Sequence, residues 1–436
     1  MNLKLNLICI LAASMFGLVL FQDNLKAQLI PDHIIDITGS ILSVSQNWRL
    51  IDKIEEGKQL LESSAPLRFV ETPQKNKKGI IIKDRKGQPI LELTQKEIAL
   101  AILDIQTGQI FEKRYWLDTI EINKANELRK KYLENPDHLP KFQPSNTNEE
   151  FLIIVHWWNS FNSDLSVVKE GDTANRYIVV ANKYLMLNED LVYPEDQKGL
   201  KYSDIVYVPY SPALKDKTLI ATGKQFLNDY VSEAFKELTE AGVKSKTFPN
   251  RLITETLTQA FIKNIILTEQ TDPKMMIIST DGGKELVERV FIRLGANGEK
   301  AFRYTVSRAG ASGLGQIMPA TYASMFKIYS SAQLIKNVDI GRVDVKNGIK
   351  ATILVLDDHL GGVKNRAYAN GSAAKKRFDA LTTDKLEETR GMAYNGGPNK
   401  YNTATGGLNL KVKGATETLG FIQKFRMIRG LNLFSI

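Results

Sequence analysis

Near Pro249-Asn250 the spacing of apolar residues changes, and this change most constrains how the chain can fold. Before it, apolar residues alternate in short runs broken by glycine and polar turns; after it, they recur every three or four positions, largely to the end of the chain. A period of two suits strands with one buried face, and a period near 3.6 suits helices with one buried stripe. One chain must therefore hold two differently built regions. Its 436 residues suit two or three domains. A composition of 43% hydrophobic and 25% charged residues is that of a folded chain and excludes a disordered one.

The first residues, "MNLKLNLICILAASMFGLVLFQDNLKAQ", form a separate element. Leu5 to Phe21 is almost uncharged, Lys4 precedes it, and Ala27 offers a small residue for cleavage before Gln28. This is the pattern of a secretory signal peptide over residues 1–27. An uncleaved anchor is the other reading, because the run approaches the length that spans a bilayer. Both readings place the remainder outside the cytoplasm: in the periplasm, in the cell wall or in the medium. The only cysteine, Cys9, lies in this segment, so the rest has neither disulfides nor cysteine metal ligands. His33, His138, His156 and His359 stand singly, without metal spacing. The formal charge of +9 points to an anionic envelope surface rather than nucleic acid for an exported chain.

Residues 28–248 read as a β-rich domain, with room for two subdomains. "GIIIKDRKGQPILEL" predicts a hairpin turning near Lys86-Gly87, and "IALAILDIQTGQIFEKRYWL" a second turning at Thr107-Gly108. "INKANELRKKYLENP" predicts a charged helix, "KFQPSNTNEE" a connector, and "EFLIIVHWW" and "NRYIVVANKYLML" further strands. No internal repeat is visible. This region carries no recognisable chemistry, and its expected role is as an interface to a cell-envelope partner. Residues 249–436 read as helical: "LTQAFIKNIILTEQ", begun by Asn250 or Thr254 and stopped by Pro273, then "GKELVERVFIRL", "ATYASMFKIY", "VDVKNGIKATILVLDDHL" and "ETLGFIQKFRMI".

Three patterns in this half carry chemistry. Glu269 lies four residues after Ile265 and three after Ile266, so it ends an apolar helix face. Apolar enclosure and the negative end of the helix dipole both raise a carboxyl pKa, which suits a general acid. In "SRAGASGLGQIMPATY", Gly310, Gly313 and Gly315 leave the main chain bare, beside the amide of Gln316. Glycine admits close approach of a ligand, and an amide both donates to and accepts from sugar groups. "MAYNGGPNKY" places Tyr394 and Asn395 at a helix end before two glycines and a proline.

Together these segments resemble the soluble lytic transglycosylase family. "VSRAGASGLGQIMPATY" is similar to its glycine signature, "AYNGGP" to its later tyrosine motif and "TETLGFIQKF" to its closing segment; the likeness covers about residues 250–436. The resemblance implies a mostly helical, lysozyme-like fold preceded here by the β-rich region, so an α+β multidomain chain. It also implies cleavage of the β-1,4 bond between N-acetylmuramic acid and N-acetylglucosamine in peptidoglycan, with no metal and no cofactor. The family's catalytic glutamate ends a helix, in a Glu-Ser pair shortly before the signature serine. At that spacing this chain has Gly298. Glu269, in "IILTEQTDP", resembles the usual context, with Gln270 in place of the serine and an inserted helix around Glu285 and Glu288 before Ser307. Glu299, one residue out of register, is the alternative. The resemblance gives Ser307, Gly310, Gly313, Gln316, Tyr394 and Asn395 to substrate binding. Two other readings stand beside a lyase forming a 1,6-anhydro product: a lysozyme-type muramidase using water, and an inactive module that binds wall glycan.

Overall fold

The computed structural model describes residues 48–118, 141–142, 151–157, 162–169, 171, 176–187, 201–272, 275–276, 279–307 and 309–434. The N-terminal apolar segment, His33, His138, the expected charged helix at 122–136 and Pro273 lie outside the described residues. No helix of the described residues is long and apolar enough to cross a membrane. The chain divides into two compact units. One runs to Leu185 and includes Asp204–Leu214; the other holds Met186–Ser203 and Lys215–Ile436.

The first unit opens with helix α1 (Leu50–Ser63), which buries Leu50, Ile54, Gly57 and Leu61, a stripe at spacings of four and three. Strands β1 (Phe69–Pro73), β2 (Leu91–Asp104), β3 (Ile110–Asp118), β4 (Lys141–Phe142), β5 (Phe151–Trp157), β6 (Asp164–Lys169), β7 (Tyr177–Leu187) and β8 (Tyr202–Tyr207) follow. Strand β2 pairs antiparallel with β3 along one edge and with β1 and β7 along the other, and β8 extends the sheet from β7. The expected turn at Thr107-Gly108 is present, closed by Asp104 N–H to the Gln109 carbonyl at 2.9 Å. Strands β4, β5 and β6 form a separate antiparallel sheet.

Strand β2 is buried on both faces from Glu97 to Asp104, which explains its unbroken apolar run "IALAIL". Helix α1 covers part of this sheet so closely that a Cβ at Gly57 would lie 2.9 Å from Val180. The two acids at the ends of the buried stretch are neutralised. Arg68 donates to Glu97 at 2.8 Å and Arg176 to Asp104 at 2.7 Å.

Between β1 and β2 the chain makes two like turns eight residues apart. Asn76 Oδ1 accepts from Lys78 N and Ile80 N, and Asp84 Oδ1 accepts from Lys86 N and Gln88 N. Gly79 and Gly87 close these turns at φ +79° and +81°. The expected Lys86-Gly87 turn is thus the second of a pair. The pair is written in "NKKGI" and "DRKGQ": a turn acceptor, Asn or Asp, then two basic residues and a glycine in each.

The second unit starts earlier than residue 249. Helix α2 (Lys217–Glu240), capped by Asp216 accepting from Leu219 N at 2.9 Å, belongs to it. The residues 215–248 assigned from sequence to the β-rich region are therefore corrected to the helical one. Their signal was legible: Leu219, Gly223, Leu227, Val231, Phe235 and Leu238 recur at helical spacing and are buried. Helices α3 (Gln259–Gln270), α4 (Lys284–Asn297), α5 (Pro319–Ile328), α6 (Val338–Val343), α7 (Val345–Ala369), α8 (Ser372–Asp379), α9 (Thr383–Gly396) and α10 (Ala415–Gly430) complete it. Thr258, not Asn250 or Thr254, caps α3, accepting from Phe261 N at 3.1 Å. Helices α2 and α4 cross at Gly223, where a Cβ would meet the Phe291 carbonyl at 1.8 Å. Helix α7 is buried without interruption from Asn347 to Asp357 and is the axis of the core. Around it pack Leu227 of α2, Phe261 and Ile265 of α3, Phe291 of α4 and Phe425 of α10. The chain as a whole mixes helix and sheet, as an α+β protein does.

Candidate functional site

Glu269 and Gln270 form the last turn of α3. Phe261, Ile262, Ile265 and Ile266 bury the apolar face, and Glu269 continues that stripe, half-buried at the helix end. Burial pushes its carboxyl up to about 7 from 4.5. The Glu417 charge adds to the rise, and the Lys424 ammonium opposes it; both side chains belong to α10. The same burial pushes the Lys424 ammonium down, against the pull of Glu269 and Asp272. Lys424 is itself buried and donates to the Thr271 carbonyl at 2.6 Å, just past the end of α3. A cation at this helix end satisfies an otherwise orphaned carbonyl.

Gln270 joins α3 to the glycine segment. Its Nε2 donates to the carbonyls of Gly313 at 3.1 Å and Leu314 at 2.8 Å. The Tyr394 hydroxyl, from α9, donates to the Gly315 carbonyl. Burial raises the Tyr394 phenol, and the nearby Glu269 charge raises it further. Glu269, Tyr394 and Gly315 thus share one neighbourhood, drawn from α3, α9 and the loop before α5. A side chain at position 315 would strike the Thr352 hydroxyl at 2.1 Å and Tyr394 at 3.0 Å, so the bare main chain is what lets α7 and α9 approach.

The rest of the loop has a mechanical explanation. Gly313 has φ +73°, and a Cβ there would lie 1.9 Å from the Arg342 carbonyl. Buried Arg342 donates to the Gly310 carbonyl at 2.7 Å and to the Ile317 carbonyl at 3.2 Å, with Asp339 as its ion partner at 2.7 Å. Ser307 accepts from Ala311 N at 2.9 Å and its carbonyl accepts from Gly310 N at 2.9 Å, so both residues set a tight turn. Gln316 has φ +48°, a left-handed conformation unusual without glycine, and its amide donates to the Gly313 carbonyl at 2.9 Å. One of the two amide hydrogens of Gln316 is thus engaged within the loop. Asn395 accepts from the Thr418 hydroxyl at 3.0 Å, which links the tyrosine motif to the segment carrying Glu417.

Glu299 has a different setting. It is exposed on the short Gly298–Lys300 turn after α4 and accepts from the Tyr230 hydroxyl of α2. No burial acts on it comparable to that at Glu269.

Sequence reasoning missed Gln270 as a tether, Arg342 and Lys424. Lys424 had a signal: with Phe421, Phe425 and Ile428 it completes an i, i+3, i+4, i+7 stripe, so a cation stands on the buried face. Arg342 had none for its hold on the loop, because the Gly310 and Ile317 carbonyls lie 32 and 25 residues upstream and only its pair with Asp339 is local. Lys424→Met is expected to move the Glu269 titration further upward, since it removes the one opposing charge, and to cost about 1–3 kcal/mol for the bond lost at Thr271. Carboxyl-carbon NMR of the Glu269 resonance and thermal melts would measure both.

Among the described residues, no group of three His, Cys, Asp or Glu side chains could hold a metal ion. The arrangement offers a carboxyl that keeps its proton near neutrality and a nearby cation that can steady it once ionised, beside a glycine segment whose Gly313 and Gly315 are buried. Compared with models of protein families, with curated proteins and with solved structures, the chain finds no match.

Proposed function

We propose that residues 249–436 act within a lysozyme-like helical unit as a peptidoglycan lytic transglycosylase in the cell envelope. The observation that carries this reading is Glu269: a helix-end carboxyl held protonated by burial and placed beside Tyr394 and the glycine segment. The likeness of Val306–Tyr322, Ala393–Pro398 and Thr416–Phe425 to that family supports it.

Glu269 gives its proton to the bridging oxygen as the bond to the muramic C1 breaks. The positive charge that develops at C1 is shared with the acetamido group. The Glu269 carboxylate then takes the proton of that sugar's C6 hydroxyl, and O6 bonds to C1, closing the 1,6-anhydro ring. No water is consumed and the glutamate ends as it began. Ordinary glycosidases need a second carboxylate to activate water or attack carbon. An internal hydroxyl has a high effective concentration and removes that need.

The test is digestion of purified peptidoglycan followed by mass analysis of the product ends. Anhydromuramic termini are expected. Reducing termini would establish the muramidase instead, and wall binding without any cleavage would establish the glycan-binding module. Cleavage is also expected to fall as pH rises through about 7, because the acid must carry its proton at the start of each turnover. A profile flat to pH 9 would remove Glu269 from that role.

A further inference from the structure

The chain from Phe69 to Glu92 is regular yet contains no buried residue. Its order is internal. Gln74 N–H donates to the Ile90 carbonyl at 2.8 Å, Ile90 N–H to Ile82 at 2.9 Å, and Ile82 N–H back to Gln74 at 2.9 Å, so three limbs close a ring of backbone bonds. The two like turns hold the limbs together. An ordered projection of this kind ordinarily buries its apolar side chains, because isolated hairpins are marginal in water. Here Ile80 is 61% exposed, Leu91 46%, Ile81 41% and Ile90 40%.

Between the acids Glu71 and Glu92 at its base, the charge on the two turns of the projection is one-sided. Lys75, Lys77, Lys78, Lys83, Arg85 and Lys86 are all exposed, and both turn tips carry a pair of them. Between residues 75 and 86 the only acid is Asp84, whose Oδ1 is committed to Lys86 N and Gln88 N at 2.8 and 2.9 Å. Exposed isoleucines interspersed along the chain with unpaired cations suit a surface that is apolar within and anionic at its boundary.

We infer that this projection docks on an anionic lipid bilayer, with Ile80 and Ile81 entering the headgroup boundary and the six cations meeting lipid phosphates. Addition of a partner strand fits less well. The backbone donors of Gln74, Ile82 and Ile90 are consumed by the ring, and lysines along an edge deter pairing. A soluble polyanion would use the cations and leave the isoleucines in water. The inference concerns the first unit and is independent of the glycan-cleaving reading of the second.

The chain's single cysteine, Cys9, allows a direct test. In the full chain carrying Cys9→Ser, Ile80→Cys is labelled with an environment-sensitive nitrobenzoxadiazole dye. Vesicles of equal parts phosphatidylglycerol and phosphatidylcholine are expected to shift the emission to the blue and raise it severalfold. Pure phosphatidylcholine vesicles should leave it unchanged. Adding Lys77→Gln, Lys78→Gln and Lys83→Gln should weaken the vesicle partition roughly 100-fold, at about fivefold per lysine. All four positions are exposed, so an unchanged circular dichroism melt is expected for every variant. The inference is overturned if anionic vesicles leave the dye unchanged. It is overturned too if the lysine variants bind as tightly, or if heparin without lipid reproduces the response, which would identify a polyanion site.

Discussion

Glu269→Gln is expected to slow glycan cleavage by roughly 10²–10⁴-fold, the usual contribution of a general acid and base, while the protein stays folded. It should also abolish this group's pH dependence of stability. The folded carboxyl holds its proton up to about 7, against 4.5 for an unperturbed glutamate. A group with a raised folded pKa favours the folded state fully below the unfolded value, and that advantage is lost as pH rises between the two. From pH 4.5 to 7 the native chain should therefore lose up to about 3 kcal/mol through this group. Glutamine has no such loss. The variant should melt at the higher temperature at pH 8 and show little advantage at pH 4. A variant less stable at pH 8, or one that still clears peptidoglycan at the native rate, would place the working acid elsewhere. Glu299→Gln is the matched control, since it removes an exposed charge and keeps an oxygen to accept from the Tyr230 hydroxyl.

Gly313→Ala is expected to be the most damaging single methyl addition in the loop. The new carbon would sit 1.9 Å from the Arg342 carbonyl, at a backbone φ of +73° that side chains disfavour. Either the loop or α6 must move, and the bonds from Arg342 to Gly310 and from Gln270 to Gly313 would move with them. A loss of about 3 kcal/mol or more is expected. Gly310→Ala supplies the contrast. Its φ is also positive, at +90°, but the new carbon would meet nothing within 4 Å. Only the backbone penalty remains there, of about 1–2 kcal/mol. Equal effects at the two positions in denaturant melts would show that backbone conformation, and not the contact with Arg342, governs the loop.

Much of the architecture was legible from local pattern. The unbroken apolar run "IALAIL" and the turn at Thr107-Gly108 identify the β2–β3 hairpin, and the four-residue recurrence of Phe261, Ile265 and Glu269 places the carboxyl at the end of a buried stripe. Helix α2 is equally legible, since Leu219, Leu227, Val231 and Leu238 recur at helical spacing within the stretch read as β-rich. The ring of bonds linking Gln74, Ile82 and Ile90 in the exposed projection could not be read, since it is visible only when three limbs are brought together.

By itself, then, the sequence determined the helical period of residues 250–436, the β2–β3 hairpin, and that a glutamate must end an apolar helix face ahead of a glycine-rich loop. Those are consequences of side-chain spacing along one element. Only the tertiary structure decided that Tyr394 meets Gly315, that Gln270 grips the Gly313 and Leu314 carbonyls, that Arg342 braces the turn and that the Lys424 charge acts on Glu269. Each of these is an interaction between residues tens to more than a hundred positions apart. The energy that selects such a contact comes from excluding water between packed helices, and no periodicity along a single helix encodes which neighbour will arrive.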